Sequence, residues 1–186
     1  MYNVERLFAF LFLITLSPLV IAVIFVSGLD SNSSGLFFQT RIGQFGKPFT
    51  IYKIRTMYSG KVTSVGKFLR KFKIDELPQL FNIIKGDMSF VGPRPDIPGY
   101  YDKLEGSDRQ VLKLKPGLTS LAAIKYVNEE ALLKRQKDAK QYNDDVIFPD
   151  KLQMNLDYCS KKSLTYDLYI VGLTLKGIFV KNKISI

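Results

Sequence analysis

The sequence predicts a mainly α-helical protein with one small β-hairpin, joined to an apolar N-terminal membrane segment. Three observations predict it. Residues 7–26, LFAFLFLITLSPLVIAVIFV, contain no charge. Two runs rich in β-branched and aromatic residues flank a Gly- and Pro-containing turn at 43–48. Beyond residue 63, apolar side chains recur mostly at steps of three and four.

At 186 residues, with 46% hydrophobic content, the chain is expected to form one cored domain with a small appendage. The expected division is a membrane helix at 1–28 and a membrane-associated domain at 29–186. Lys and Arg number 27 against 17 Asp and Glu, a net charge of +10, which points to an anionic partner: phosphorylated metabolites, an acidic membrane surface or nucleic acid. Few aromatics interleave with the basic clusters, which argues against nucleic acid. Cys159 stands alone, so no internal disulfide forms. There is no His, so base or metal chemistry falls to carboxylates, Lys, Tyr or water.

The apolar stretch of about 20 residues is long enough to cross a hydrocarbon core of about 30 Å. Its length and the lack of an A-x-A-like site argue against a cleaved signal. Pro18 cannot donate to the carbonyl of Ile14, so a kink is expected, with the Ser17 hydroxyl satisfying freed backbone groups. Two readings follow: an ordinary kinked span, or a re-entrant helix that returns to its own side. Each half is about 8 to 10 residues, about 12 to 15 Å, so length fits both. Arg6 before the segment and the basic bulk after it favour cytoplasmic placement of both ends, whereas the frequency of Pro-kinked spans favours crossing.

The elements follow in order. Residues 27–35 read as a polar linker, and LFFQTRI and PFTIYKIRTM as two strands. Alternation places Lys53 and Arg55 on one face and Tyr52, Ile54 and Thr56 on the other. SVGKFLRKF reads as a short helix with Phe68 and Phe72 on one side. A second helix carries Leu77, Leu80, Phe81 and Ile84 and closes at Lys85-Gly86. DMSFVGPRP reads as loop, 98–114 as helix broken at Gly106, KPGLTS as a turn, and 129–145 as one or two charged helices. Asp150 is expected to cap a helix carrying Leu152 and Leu156. The last helix bears a stripe of Leu164, Leu168, Val171, Leu175 and Phe179. That stripe suits core cover. The alternative is a membrane-surface helix, with Tyr166 and Tyr169 at headgroup depth and Lys176, Lys181 and Lys183 beside lipid phosphates.

Two short motifs carry candidate chemistry. In DELP, Pro78 sets a helix start near Asp75 and Glu76, because Pro is tolerated only in a first turn. One reading is capping: Asp75 as N-cap, Glu76 in the first turn, both favoured by the helix dipole. The other is chemical. Paired carboxylates make a compact Mg²⁺ site completed by water and substrate phosphates, and a carboxylate can attack phosphorus to give an aspartyl-phosphate. In GPRP, Pro93 and Pro95 stiffen the chain around Arg94, whose guanidinium fork matches phosphate oxygens. Lys53 and Arg55 form a second basic pair.

Together these segments resemble the bacterial sugar transferase family, in its small monotopic phosphoglycosyl transferase form. The resemblance runs through Ser17-Pro18, FFQTRIGQFGKPFTIYKIRTM, VGKFLRKFKIDELPQLFNIIKGDMSFVGPRP, LKPGLTS and DLYIVGLTL. It implies a re-entrant N-terminal helix broken at Ser17-Pro18, with interfacial amphipathic helices beside it. It further implies an enzyme on the cytoplasmic face of the bacterial inner membrane, in contact with its lipids. That enzyme moves a sugar-1-phosphate from a UDP-sugar, by expectation an N-acetylated amino sugar, to undecaprenyl phosphate and releases UMP. On the same basis Asp75 matches the nucleophile and Glu76 its partner in the acidic dyad, the two supporting Mg²⁺. Arg94, between Pro93 and Pro95, matches the arginine at the nucleotide phosphates, and Lys53 and Arg55 stand as further substrate-binding candidates. The chain departs from the family's usual T-G-x-x-Q-V after KPGLTS: Ser120-Leu121-Ala122-Ala123-Ile124 follows instead, leaving 120–150 without assigned roles.

Overall fold

A computed structural model describes residues 2–179. Lys181 and Lys183, offered above as headgroup contacts, lie outside the described residues, as does the side chain of Phe179. The described residues are mainly helical, as expected, but with three small two-stranded ladders in place of one hairpin.

Helix α1 (Tyr2–Asp30) continues through Pro18 and absorbs the first residues of the expected linker. The carbonyl of Ile14, freed by Pro18, accepts from Ser17 Oγ at 2.7 Å, as the sequence required. Apart from Ala9, Val20 and Ser27, α1 leaves most of its apolar surface uncovered, including Leu7, Phe8, Leu11, Ile21 and Phe25. It is long and apolar enough to cross a membrane. Both of its ends rest on the same body. Near the start, Arg6 Nε donates to the carbonyl of Ile84 at 2.7 Å, and the Glu5 carboxylate accepts from Ser89 Oγ and from Phe90 N. Near the finish, Ser27 Oγ donates to the carbonyl of Arg55.

The hairpin forms as the alternation predicted. Strand β1 (Leu36–Ile42) pairs antiparallel with β2 (Pro48–Ile54), in register from Leu36 opposite Ile54 to Ile42 opposite Pro48. A minor ladder, β3 (Met57–Tyr58) with β4 (Lys61–Val62), leads into α2 (Ser64–Lys71), which Thr63 caps through Gly66 N. Phe68 and Phe72 lie together on one side, ring centres 4.8 Å apart.

The DELP segment departs from the expected α-helical start. Residues Ile74–Gln79 form a 3₁₀ turn, and the α-helix proper, α3 (Leu80–Lys85), begins after it. Lys73 occupies the cap position in a left-handed conformation, φ 58°, and no side chain caps the turn. Asp75 is therefore not an N-cap. Gly86 closes α3 as predicted, at φ 89°.

GDMSFVGPRP and KPGLTS are not simply loop and turn. Strand β5 (Ser89–Val91) pairs in parallel with β6 (Gly117–Thr119). Two glycines permit this approach. A Cβ on Gly92 would lie 2.4 Å from the carbonyl oxygen of Lys115, and one on Gly117 would lie 2.1 Å from Gly92 N. Strand residues with so little local alternation escape a periodicity argument; the pairing is set by tertiary contact. Residues 98–114 form two 3₁₀ segments, Tyr101–Lys103 and Gly106–Lys113, with Gly106 at the second one's start.

The remainder comprises α4 (Leu121–Lys125), α5 (Glu129–Leu133), α6 (Ala139–Tyr142) and α7 (Phe148–Lys161), the last two joined by a π turn at Asn143–Ile147. Because the chain enters α7 already coiled, Asp150 is no N-cap. Its carboxylate instead accepts from Lys125 Nζ and Tyr126 Oη. Helix α8 (Leu164–Phe179) turns its predicted stripe outward: Leu164 is 64% and Leu168 63% exposed. Its buried face is Ile170 with Asp167, whose Oδ1 accepts from Tyr158 Oη at 2.6 Å. Of the stripe, Val171 packs against the core, whereas Leu164, Leu168 and Leu175 do not cover it.

Three apolar clusters hold the body. One seats α1 through Ala9 against Ile51, Leu80, Ile83 and Met88. Another joins Ile42 to Tyr101, Val111, Leu112 and Leu152. A third sets Val91 against Tyr158 and Ile170.

Candidate active site

Three segments converge: β2 brings Lys53, the 3₁₀ turn brings Asp75 and Glu76, and the loop after β5 brings Arg94. The tight turn is what presents the carboxylates. Lys73 in the left-handed region is uncommon for a residue with a side chain, and such positions persist where surrounding structure imposes them. Pro78, which lacks an N–H, sits in the turn and helps set its geometry. Asn82, fully buried, holds the turn's following helix to β2: its Nδ2 donates to the carbonyl of Thr50 at 2.7 Å and its Oδ1 accepts from Tyr52 N at 3.3 Å. Sequence reading missed Asn82, although a polar residue among Leu80, Phe81, Ile83 and Ile84 was the available signal.

The two carboxylates are 8% and 7% exposed, yet their surroundings differ. Glu76 Oε1 lies 3.2 Å from Lys53 Nζ and 3.0 Å from Arg94 Nη2. Burial alone would raise its pKa, but Arg94, Lys53 and Lys73 outweigh that and hold it well below the ordinary range. Asp75 moves the other way. Burial and the neighbouring Glu76 charge raise its pKa, and Lys53, Lys73 and Arg70 only partly oppose them. Its Oδ1 is buried and has no hydrogen-bond partner among the described residues. The dyad is thus one carboxylate clamped by two cations beside one with a buried, unpaired oxygen. Lys53, itself buried, is pushed below the usual lysine range by desolvation.

Arg94 is placed by the β5–β6 ladder. Gly92 N donates to the carbonyl of Thr119 at 3.1 Å, and Gly117 N to that of Pro93 at 2.9 Å. Pro93 and Pro95 face a small recess beside Tyr101, Val111 and Leu112, so they anchor the loop to the core while Arg94 faces the dyad. Arg55 is not brought there. Its guanidinium donates to the carbonyls of Ser34 at 2.7 Å and Leu36 at 3.2 Å, and it lies over the Phe37 ring. Strand β2 ends at Ile54, so the alternation that paired Arg55 with Lys53 no longer applies one residue on.

For a divalent cation, Asp75 Oδ1 is a buried carboxylate oxygen without a partner, and Glu76 is the neighbouring anion, though its Oε1 is already shared by two cations. Among the described residues no cluster of three or more His, Cys, Asp or Glu side chains can hold a metal. The donor set therefore fits Mg²⁺ completed by water and substrate phosphates, and not an all-protein cage.

Residues 120–150 acquire a place. A cavity of about 330 Å³ is lined by Arg94, the partner of Glu76, together with Lys73, Ala122, Ala123, Tyr126 and Glu129. Glu129 is fixed by Lys151, whose Nζ lies 2.7 Å from both carboxylate oxygens. Glu130 reaches Arg70 Nη1 at 2.9 Å.

Comparison with known proteins adds an independent line. The family model described as bacterial sugar transferase matches residues 2–181. An uncharacterized sugar transferase, EpsL, of Bacillus subtilis is 32% identical over 181 residues, covering 91% of this chain and 82% of that protein. The UDP-glucose:undecaprenyl-phosphate glucose-1-phosphate transferase of Caulobacter vibrioides is 35% identical, covering 87% of this chain and 63% of its own length. A UDP-N-acetylgalactosamine-undecaprenyl-phosphate N-acetylgalactosaminephosphotransferase of Aeromonas hydrophila is 32% identical, covering 87% and 39%. The chain thus spans most of the first relative but under two thirds of the other two.

Proposed function

The chain belongs to the bacterial sugar transferase family, and from that premise we propose that it transfers a sugar-1-phosphate from a UDP-sugar to undecaprenyl phosphate through a covalent Asp75 intermediate. The observation that carries the proposal is the unequal dyad: Glu76 held ionised by Lys53 and Arg94, and Asp75 beside it with a buried, partnerless oxygen.

An Asp75 carboxylate oxygen attacks the phosphorus that bears the sugar. The bond from that phosphorus to the bridging oxygen breaks, and UMP leaves with the electron pair. A phosphate oxygen of undecaprenyl phosphate then attacks the same phosphorus, breaks the aspartyl–phosphorus bond and regenerates the Asp75 carboxylate. Neither step requires proton removal from the nucleophile, in keeping with a chain without His. Arg94 and Lys73 balance charge on the diphosphate, and Glu76 holds Arg94 and Lys53 in place for it. Asp75 and Glu76 are the residues that would hold Mg²⁺, which when bound neutralises phosphate charge so that an anion can approach. The donor sugar in this proposal is an N-acetylated amino sugar, as in the name of the Aeromonas relative, with glucose as its rival.

Membrane placement follows from the acceptor. A polyprenyl chain gains about 0.8 kcal/mol for each buried CH₂, so the site must come to the headgroup plane. We propose that α1 is re-entrant, with the body at 29–186 on the cytoplasmic face of the inner membrane. A helix of 29 residues at 1.5 Å per residue that crossed the bilayer would dock one end, whereas Arg6 and Ser27 both reach the same body. The outward stripe of α8 offers a second apolar contact with lipid.

The test is release of UMP by the purified full chain with Mg²⁺, undecaprenyl phosphate and a panel of UDP-sugars. Release from at least one donor, dependent on Asp75, is expected. Silence from all donors, or undiminished release by Asp75→Asn, overturns the reading. Topology is tested with Asn3→Cys in a Cys159→Ser background: an impermeant thiol reagent applied to intact cells is expected to leave residue 3 unlabelled, and labelling from outside would establish a span.

A further inference from the structure

We propose that Glu5, in the first turns of α1, is a positioning residue for Arg94. It acts through the β5–β6 ladder, which α1 holds by strand β5 and α8 holds by strand β6. The proposal rests on the phosphoryl-transfer reading above and extends it to residues outside the DELP and GPRP motifs.

The ladder needs outside support. Its strands, Ser89–Val91 and Gly117–Thr119, have three residues each, and an isolated two-stranded pair is marginal at best. Gly92 and Gly117, whose close approach completes the pairing, have no side chains to pack. Arg94 follows directly on β5, so a shift of that strand carries the guanidinium with it. The guanidinium meets the dyad through Nη2, 3.0 Å from Glu76 Oε1, a contact that a small displacement would break.

Two helices supply the support. Phe90 N donates away from the ladder to Glu5 Oε2 at 3.2 Å, and the same oxygen accepts from Oγ of Ser89, which is buried. One carboxylate thus fixes the backbone of one strand residue and the side chain of the next, with charge-assisted bonds. On the other strand, Thr174 Oγ1 of α8 donates to the carbonyl of Ile170 at 2.9 Å. That leaves Thr119 Oγ1 to donate to Thr174 Oγ1 at 2.7 Å. The carbonyl of Thr119 in turn accepts from Gly92 N at 3.1 Å. Ile170, fully buried, packs on Val91. Arg6, the residue after Glu5, donates instead to the carbonyl of Ile84 in α3 and so bears on a different element. Docking of α1 through Glu5 thereby fixes the strand from which the arginine loop projects.

The test uses the full chain in lipid nanodiscs, with amide hydrogen exchange read without substrate and donor kinetics read with it. Glu5→Ala removes both acceptor bonds, and Glu5→Gln keeps an acceptor oxygen. Thr174→Val, a second variant on the other strand, keeps the shape. Glu5→Ala and Thr174→Val are each expected to speed exchange of the Gly92 and Gly117 amides, to which neither side chain is bonded. Each should also raise donor KM about tenfold while kcat changes less than about twofold. Glu5→Gln should recover most of both effects, and Arg6→Ala should leave exchange at Gly92 and Gly117 unchanged. In an Arg94→Lys background the KM penalty of Glu5→Ala should vanish, because the group being positioned is already lost. Wild-type exchange at Gly92 and Gly117 in both variants overturns the proposal. So does equal acceleration by Arg6→Ala, which would mean general loosening, or a KM penalty that persists in full beside Arg94→Lys. The two readings fail separately. Fast exchange in the variants of a chain that turns over no donor retains the positioning role and loses the transferase, and turnover with variant-insensitive exchange and KM does the reverse.

Discussion

The turn at 74–79 and the cavity wall at 121–133 lie on either side of Lys73 and Arg94, and they are built on different principles. In the turn, backbone dictates position: a left-handed Lys73, a 3₁₀ coil and Pro78 leave Asp75 and Glu76 little freedom. Burial then makes their charges expensive unless opposed, and Lys53 and Arg94 oppose only one of them within 3.2 Å. In the wall, two short helices are tied to the rest of the fold through side chains, Glu129 to Lys151 and Glu130 to Arg70, the latter pair well exposed. The difference teaches that the turn is fixed by backbone geometry and low dielectric, while the wall is fixed through side-chain ion pairs, one nearly buried and one exposed.

The largest expected effect breaks the turn. Asp75→Asn should lower UMP release by roughly 10³-fold or more, since it removes the attacking atom. Because burial and Glu76 raise the Asp75 pKa, its ionised form opposes folding at neutral pH. The same variant should therefore raise the melting temperature. Glu76→Gln should do the opposite. It leaves Lys53 and Arg94 without their anion, and breaking a buried pair typically costs about 3–5 kcal/mol. Arg94 is 35% exposed, so the lower end is expected. Thermal shifts of the same sign for the two variants would refute the division of the dyad into a clamped and an unsatisfied member.

Next in size is the boundary itself. Arg94→Lys keeps the charge but loses the fork, so donor KM should rise about tenfold with little change in kcat. An equal loss of kcat instead would place Arg94 within the bond-making region.

Acidity separates the two carboxylates further. Asp75 must be ionised to attack, and its pKa is raised, so the acid limb of the rate profile should lie above the ordinary aspartate range. Glu76 has the reverse linkage. Its folded pKa is depressed, so its stabilising contribution is complete above the unfolded glutamate value and declines as pH falls toward the folded one. On acidification, activity should therefore fail before stability does, as read by kcat and by thermal melts over the same buffers. Coincident failure would mean that the two groups titrate as one.

How much of this was legible beforehand follows the same division. DELP and GPRP announced the dyad and its arginine because Pro and paired carboxylates constrain local backbone and charge strongly. The Ser17 hydroxyl bond to Ile14 was equally local and was foreseen. What failed was cooperative. Asp75 was expected to cap a helix, but the left-handed Lys73 starts a 3₁₀ turn instead. Arg55 was grouped with Lys53 by alternation, but the strand ends between them. The β5–β6 ladder depends on two glycines 25 residues apart (92 and 117), which no periodicity reveals. The stripe on α8 was read correctly as apolar, while its outward orientation required knowing where Ile170 and Asp167 pack.

The smallest expected effect lies in the wall. Glu130 joins Arg70 at 2.9 Å and Lys134 at 2.9 Å, and its partners are 35% and 72% exposed. Solvent and salt screen such pairs, and exposed ion pairs are worth about 0.2–1 kcal/mol. Arg70 keeps a second tether in Glu130→Ala, since its Nε donates to Thr56 Oγ1 at 2.9 Å and so still fixes the guanidinium beside the dyad. The variant should thus lose under about 0.5 kcal/mol by denaturant melt, change kcat less than twofold, and move donor KM only slightly, through a looser α5. A loss of kcat comparable to that of Asp75→Asn would mean that α5 belongs to the rigid, bond-making side of Lys73 and Arg94, and the contrast between turn and wall would collapse.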